Sequence, residues 1–182
     1  MVFIYDLVKG FLSDGIYGFK NDNYIGASKQ INKPKSSWIT FFRECRLEPQ
    51  FKMAERYFDN GFIRDAINLM EKLDKILIEP IKPSLLHGDL WSGNIMTGSN
   101  GKAMLIDPAV YVGHAEADFA MTELFGSLPR AFYKAYEEVN PLQPGYKERR
   151  DLYNLYHLLN HLNLFGSSYL FSVIQSVKRY VR

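Results

Sequence analysis

The chain has 182 residues, 47% of them hydrophobic and 15% aromatic, with 22 Lys and Arg against 20 Asp and Glu. That length supports one domain with a substantial core, and a net charge of +2 is too slight to point to nucleic acid or a membrane surface as a partner. A single cysteine, Cys45, excludes an intrachain disulfide framework, and no run approaches the eighteen or so uncharged apolar residues of a span, so a cytoplasmic location without a signal peptide is expected.

In chain order, residues 1–12 predict a short helix with Phe3, Leu7 and Phe11 on one side. Residues 13–37 are rich in Gly, Asn, Asp, Lys and Ser with no sustained period, and read as a long connection or small hairpin. Connections of that length are more often functional than idle. Helical segments over 38–47 and 51–59 are expected to break near Pro49. A longer helix from Phe62 to Ile78 carries an apolar stripe of Ile63, Ala66, Ile67, Met70, Leu73 and Leu77 at the 3.6-residue period, and Pro80 and Pro83 close it.

The loop HGDLWSGN, His87 to Asn94, follows. Two short apolar runs, 95–97 and 103–106, are joined by Gly98-Ser99-Asn100-Gly101, a hairpin signature that folds Asp107 back toward the loop. Further helices are expected over 115–125, over 129–139 with Pro129 as first helical residue, from Tyr146 to Phe165 with Leu152, Leu155, Tyr156, Leu159 and Leu162 or Asn163 facing a core, and over 167–181. Gly166 stops the longest. The expected fold class is α+β, mainly helical, a single domain in which one small β-hairpin carries the polar residues.

Those polar residues stand in the order used by phosphoryl-transfer sites. Asp89 and Asn94 are five positions apart, the interval between a hydroxyl-orienting aspartate and a metal-holding asparagine in a kinase catalytic loop, and Asp107 occupies the place of a second metal ligand. Hard oxygen donors of this kind suit Mg²⁺ held against nucleotide phosphates. Each residue also has an ordinary reading: Asp89 as a turn or cap, Asn94 as a satisfied loop residue, Asp107 as the cap of the next helix. His87 reads as a brace for the loop and Trp91 as a packing residue.

A rival grouping takes His87, Asp89, Asp107, His114 and Asp118 as the metal ligands of a phosphoesterase with a metal-bound water as nucleophile. His157 and His161 share a helical face but lack the glutamate of a zinc-protease motif, and read as packing or surface residues. A non-catalytic scaffold that keeps the loop for folding is the third reading.

HGDLWSGN, IDPAVYVGHAEADFAM, ELFG and AFYKAYEEVNPLQPGY together resemble the fructosamine kinase and ketosamine-3-kinase family, itself related to aminoglycoside phosphotransferases and the protein-kinase-like fold. DNYIG, SSWITFFRECRLEPQ and NLYHLLNHLNLFGSSY extend the resemblance over residues 22–169. It implies that Asp89 is the catalytic aspartate, that Asn94 and Asp107 are Mg²⁺ ligands, and that His114, Glu116 and Asp118, in the segment after the metal site, order the loop and line the sugar side of the cleft. It also implies Mg²⁺ and ATP as cofactors and a small-molecule or protein-bound ketosamine as substrate, phosphorylated on a sugar hydroxyl. Trp38, Phe41 and Phe42 match family positions and are assigned to packing. Against that family the chain begins inside the carboxy-terminal helical lobe. With the amino-terminal ATP-binding lobe absent, the expectation is weak activity alone and self-association through the uncovered face.

Overall fold

A computed structural model describes residues 14–99 and 101–181; the helix predicted over 1–12 lies outside them. Among the described residues the architecture is α+β and mainly helical, with three two-stranded antiparallel sheets, where the sequence predicts the hairpin over 95–106 and leaves one within 13–37 as an alternative. The additional pairings join segments far apart in the chain or too short to show a period of two.

Residues 23–30 form the first hairpin, β1 (Asn23–Ile25) with β2 (Ser28–Gln30), Asn23 opposite Gln30. The segment on either side is tied down by reciprocal backbone hydrogen bonds, Tyr17 with Lys35 at 2.8 and 3.0 Å and Gly18 with Val112 at 2.9 and 2.8 Å. Residues 14–37 therefore form a fixed collar, the hairpin alternative of the sequence reading.

Helix α1 (Trp38–Phe42) runs through a π-turn at Arg43–Leu47 into α2 (Glu48–Ala54) without the expected break. Pro49 has no N–H for the carbonyl four residues back. That carbonyl, Cys45 O, instead accepts from the Arg46 guanidinium at 2.9 Å. The same guanidinium donates to Ile31 O and Asn32 Oδ1 and lies 3.9 Å from the centre of the Tyr111 ring, which allows Arg46 to be fully buried.

Helix α3 (Asn60–Glu71) starts at Asp59, whose carboxylate accepts from Phe62 N at 2.7 Å, and breaks at Lys72 before the short α4 (Leu73–Ile76). Its buried face is Phe62, Ala66 and Leu69, not the whole predicted stripe; Ile67 is 52% exposed. The apolar arc is wider than one packing face, and the helix buries the side on which Phe62 meets Phe58, ring centres 4.5 Å apart. Ile63, Ile67 and Met70 line an open groove of 810 Å³ with Phe51 and Phe58 instead.

Strand β3 (Ser84–Leu86) pairs with β6 (Tyr111–Gly113), bracketing the hairpin of β4 (Ile95–Thr97) and β5 (Ala103–Leu105). Helices α5 (Ala115–Leu124), α6 (Arg130–Val139), α7 (Tyr146–Phe165) and α8 (Leu170–Val181) complete the fold. Pro129 is the residue before α6 and not its first. Helix α7 ends at Gly166, φ 86°, as its sequence requires.

The core is aromatic around Trp38, whose ring lies 5.2 Å from Phe42, 5.9 Å from Tyr17 and 6.1 Å from Tyr153. Trp38, Phe41 and Phe42 are wholly buried, as are Leu152, Leu155, Leu159 and Leu162 of α7, so the packing assignments hold. Among the described residues no helix is long and apolar enough to cross a membrane.

Candidate active site

The chain leaves β3 at Leu86 and makes the HGDLWSGN loop directly over the start of α5. Gly88 takes φ 82°, and a Cβ on it would lie 2.0 Å from Ala109 O. Only glycine permits that approach, and it lets Ala109 N donate to His87 O at 2.8 Å. Gly93 serves differently, since the Trp91 indole covers the place of its missing side chain.

The Asp118 carboxylate, from the first turn of α5, accepts from His87 N at 2.6 Å and Gly88 N at 2.8 Å. Burial pushes Asp118 up from its ordinary range, against the pull of those two donors. The His87 ring spans the loop: Nδ1 accepts from Asp89 N at 3.3 Å, which leaves Nε2–H to donate to Ile106 O at 2.9 Å. The ring thus joins the residue before Asp107 to the residue before Gly88.

Asn94 is 7% exposed and sits at the end of a 3-10 turn over Ser92–Asn94. Its Nδ2 donates to Asp89 O at 2.8 Å and to Asp89 Oδ2 at 3.1 Å. The five-residue interval is thus the length that lets the carboxamide close back on the carboxylate. The hairpin returns as predicted, Ile95 opposite Leu105, and Ile106 N donates to Asn94 O at 3.1 Å. Asp107 follows, exposed and with φ 50°, the one positive-φ non-glycine among the described residues.

The Asp89 carboxylate is held above its ordinary range, first by burial; the Asn94 hydrogen bond, His161 and His87 pull it down, and the Asp107 charge adds to the rise. The two carboxylates therefore act on one another across the loop. Asn94 and Asp107 supply neutral and charged hard oxygens on neighbouring strand ends. That donor set fits Mg²⁺, which takes one or two protein ligands and fills its octahedron with water and phosphate oxygens.

His114 and Glu116 stand apart from this group. His114 caps α5, its Nδ1 accepting from Glu116 N at 3.1 Å. Glu116 makes a buried two-pronged pair with Arg149 at 2.6 and 2.8 Å. Burial lowers His114 to about 4, so it is neutral at physiological pH and its 3.8 Å approach to Glu116 is not an ion pair. Among the described residues no three or more His, Cys, Asp or Glu side chains converge to hold a metal, so the histidine and aspartate grouping of the rival hydrolase reading is not assembled.

Two contributions escape the sequence pattern. Asn23 Nδ2 donates to Val110 O at 2.8 Å and Gln30 Nε2 to Ala109 O at 2.9 Å, so the collar hairpin braces the segment after Asp107. Tyr156 of α7 donates to Gln30 Oε1 at 2.8 Å behind it. His157 of α7 comes within 3.9 Å of Asp89. For Tyr156 and His157 the trace in the sequence is that polar residues occupy positions on an otherwise apolar helical face.

A mainly helical α+β packing that carries small antiparallel hairpins is the architecture of kinase-like folds. The chain belongs to the fructosamine kinase family, whose model matches residues 10–182. It is 46% identical over 168 residues to the chloroplastic protein-ribulosamine 3-kinase of Arabidopsis thaliana, covering 91% of this chain and 51% of that protein. It is 44% identical over 167 residues to a Synechocystis protein described as a ketoamine kinase, covering 91% and 56%.

The crystal structure of a Thermobifida fusca protein described as a fructosamine-3-kinase superposes with a TM-score of 0.84 at 36% identity, covering 92% of this chain and 59% of that one. One from Haemophilus somnus gives 0.81 at 32%, covering 92% and 57%. The chain spans about half the length of the curated relatives it matches.

Proposed function

We propose that this chain carries the acceptor and metal side of an ATP-dependent ketosamine phosphotransferase. The observation that carries the reading is the closure of Asn94 on Asp89, with the hairpin returning Asp107 beside them. The fold and the family membership support it.

In this reading Asp89 orients the sugar hydroxyl and receives its proton. The acceptor oxygen forms a bond to the γ-phosphorus as the bond between that phosphorus and the bridging oxygen of ADP breaks. A loose transition state asks little of a base, so positioning dominates. Asn94 Oδ1 and the Asp107 carboxylate would hold Mg²⁺, which would supply neutralisation of charge on the phosphates. Asp118 and His87 keep the loop in register through the backbone. His114 and Glu116 act further back, capping α5 and pinning it to α7 through Arg149.

The test uses the chain with Mg²⁺, ATP and a fructosyl or ribulosyl amine. Weak transfer to the sugar hydroxyl is expected, with its loss in Asp89→Asn. In parallel, Mn²⁺ with ATP should broaden the amide signals of Asn94, Ile106 and Asp107 in the ¹⁵N-labelled chain, and Asp107→Ala should abolish the broadening. Broadening centred elsewhere, or transfer undiminished in Asp89→Asn, rejects the reading.

A further inference from the structure

Asp89 Oδ1 and His157 Nδ1 are both buried, neither has a hydrogen-bond partner, and they face each other 3.9 Å apart. His157 is 3% exposed on the buried side of α7, where its carbonyl accepts from His161 Nδ1–H at 2.8 Å and its ring meets Tyr156 edge-on at 5.1 Å. Burial, with His161 and Arg46 acting in the same direction, lowers His157 to about 3. The ring is therefore neutral, and the approach to Asp89 is not an ion pair.

A neutral imidazole carries one N–H and can offer it from either nitrogen. Leaving a buried carboxylate oxygen without a donor is costly, and the described group facing Oδ1 is Nδ1. The other oxygen, Oδ2, is held by Asn94 at 3.1 Å. One contact on one oxygen restrains a carboxylate only weakly against turning about Cβ–Cγ. A second donor on the other oxygen stops that rotation. Hydrogen bonds of this kind are commonly long in an unliganded site and shorten when substrate fills it.

We propose that His157 is a positioning residue: its Nδ1–H closes on Asp89 Oδ1 in the loaded site and fixes the carboxylate plane toward the acceptor hydroxyl. This rests on the reading of Asp89 given under the proposed function. The effect is on the orientation of the reacting group, where a displacement of about 1 Å costs about a hundredfold in rate.

Two measurements test it. In the transfer assay His157→Leu is expected to lower kcat about 10- to 100-fold, with KM for ATP held within about twofold. His157→Asn, which keeps an N–H near the place of Nδ1, is expected to return kcat to within about threefold of the parent. Full activity in His157→Leu beside a dead Asp89→Asn overturns the proposal; full activity in Asp89→Asn removes the Asp89 reading instead. Independently of turnover, the long-range ¹H–¹⁵N spectrum of the unaltered chain should show His157 protonated on Nδ1, with that signal shifted in Asp89→Leu. A His157 protonated on Nε2 overturns the proposal whatever the kinetics.

Discussion

Gly88 and Gly101 share a backbone conformation, φ 82° and 72°, but not a surrounding, and replacing each by alanine separates the two contributions. At Gly101 nothing lies within 4 Å of the added Cβ, so Gly101→Ala pays only the left-handed conformation, about 1–2 kcal/mol. At Gly88 the Cβ meets Ala109 O at 2.0 Å. An ordinary carbon-to-oxygen contact is about 3.3 Å, so the carbonyl must retreat by roughly 1 Å.

Ala109 cannot move that far and keep both its bonds, from Ala109 N to His87 O at 2.8 Å and from Gln30 Nε2 to Ala109 O at 2.9 Å. Each is worth about 1 kcal/mol net. The expected loss for Gly88→Ala is therefore about 3–4 kcal/mol, and the excess over Gly101→Ala about 2 kcal/mol. Urea unfolding of both variants, with the slope checked for constancy, gives the difference directly. If the two agree within about 0.5 kcal/mol, the close approach does not constrain the loop and the reasoning fails.

The parts of the site legible in the sequence are those closed by local chain geometry. Asn94 reaches Asp89 across five residues, and the hairpin needs only two short apolar runs and a permissive turn between them. Helix α7 was legible for the same reason, since its period and its stop at Gly166 are properties of one segment.

What lay beyond the sequence depends on partners distant in the chain. Tyr156 and Gln30 are 126 positions apart, Gln30 and Ala109 are 79 apart, and the pairing of β3 with β6 spans the whole site loop. No spacing rule connects such residues; the core decides which polar groups it brings together. The continuity of α1 into α2 was hidden differently. Pro49 is a sound breaking signal until Arg46 supplies the donor that the proline lacks, and Arg46 can be buried there because aromatic faces and carbonyls surround it.

Four further perturbations follow from named contacts. Arg149→Met leaves Glu116 buried, with side chains 5% and 3% exposed in the pair, and should cost about 3–5 kcal/mol; adding Glu116→Leu should recover more than half, and simple additivity in urea unfolding would refute an uncompensated charge as the cause. Asp118→Ala removes the acceptor of the His87 and Gly88 amides, whose hydrogen exchange should rise about 10- to 100-fold while the core amides of α7 hold; unchanged exchange at those two sites rejects the tether. His114 is held down to about 4, against about 6.5 when unfolded, so between those values the unfolded chain binds a proton that the native one does not. Its contribution is complete above about pH 6.5 and is lost as pH falls toward 4, by up to roughly 1.4 kcal/mol per pH unit. His114→Asn, which keeps a capping side chain, should lose less stability than the parent between pH 7 and 4.5, and equal losses would refute the assignment. Asp107 stands at φ 50°, where a side chain is strained and glycine is not. Relief of about 1–2 kcal/mol set against roughly 0.5–1 kcal/mol of added unfolded-state entropy makes Asp107→Gly neutral or slightly stabilising. If the carboxylate is there to hold a cation, that variant keeps its fold and loses the Mn²⁺ broadening at Asn94 and Ile106. If the side chain instead secures the turn, Asp107→Gly is destabilised by more than about 1 kcal/mol, and the metal-holding role loses its physical basis.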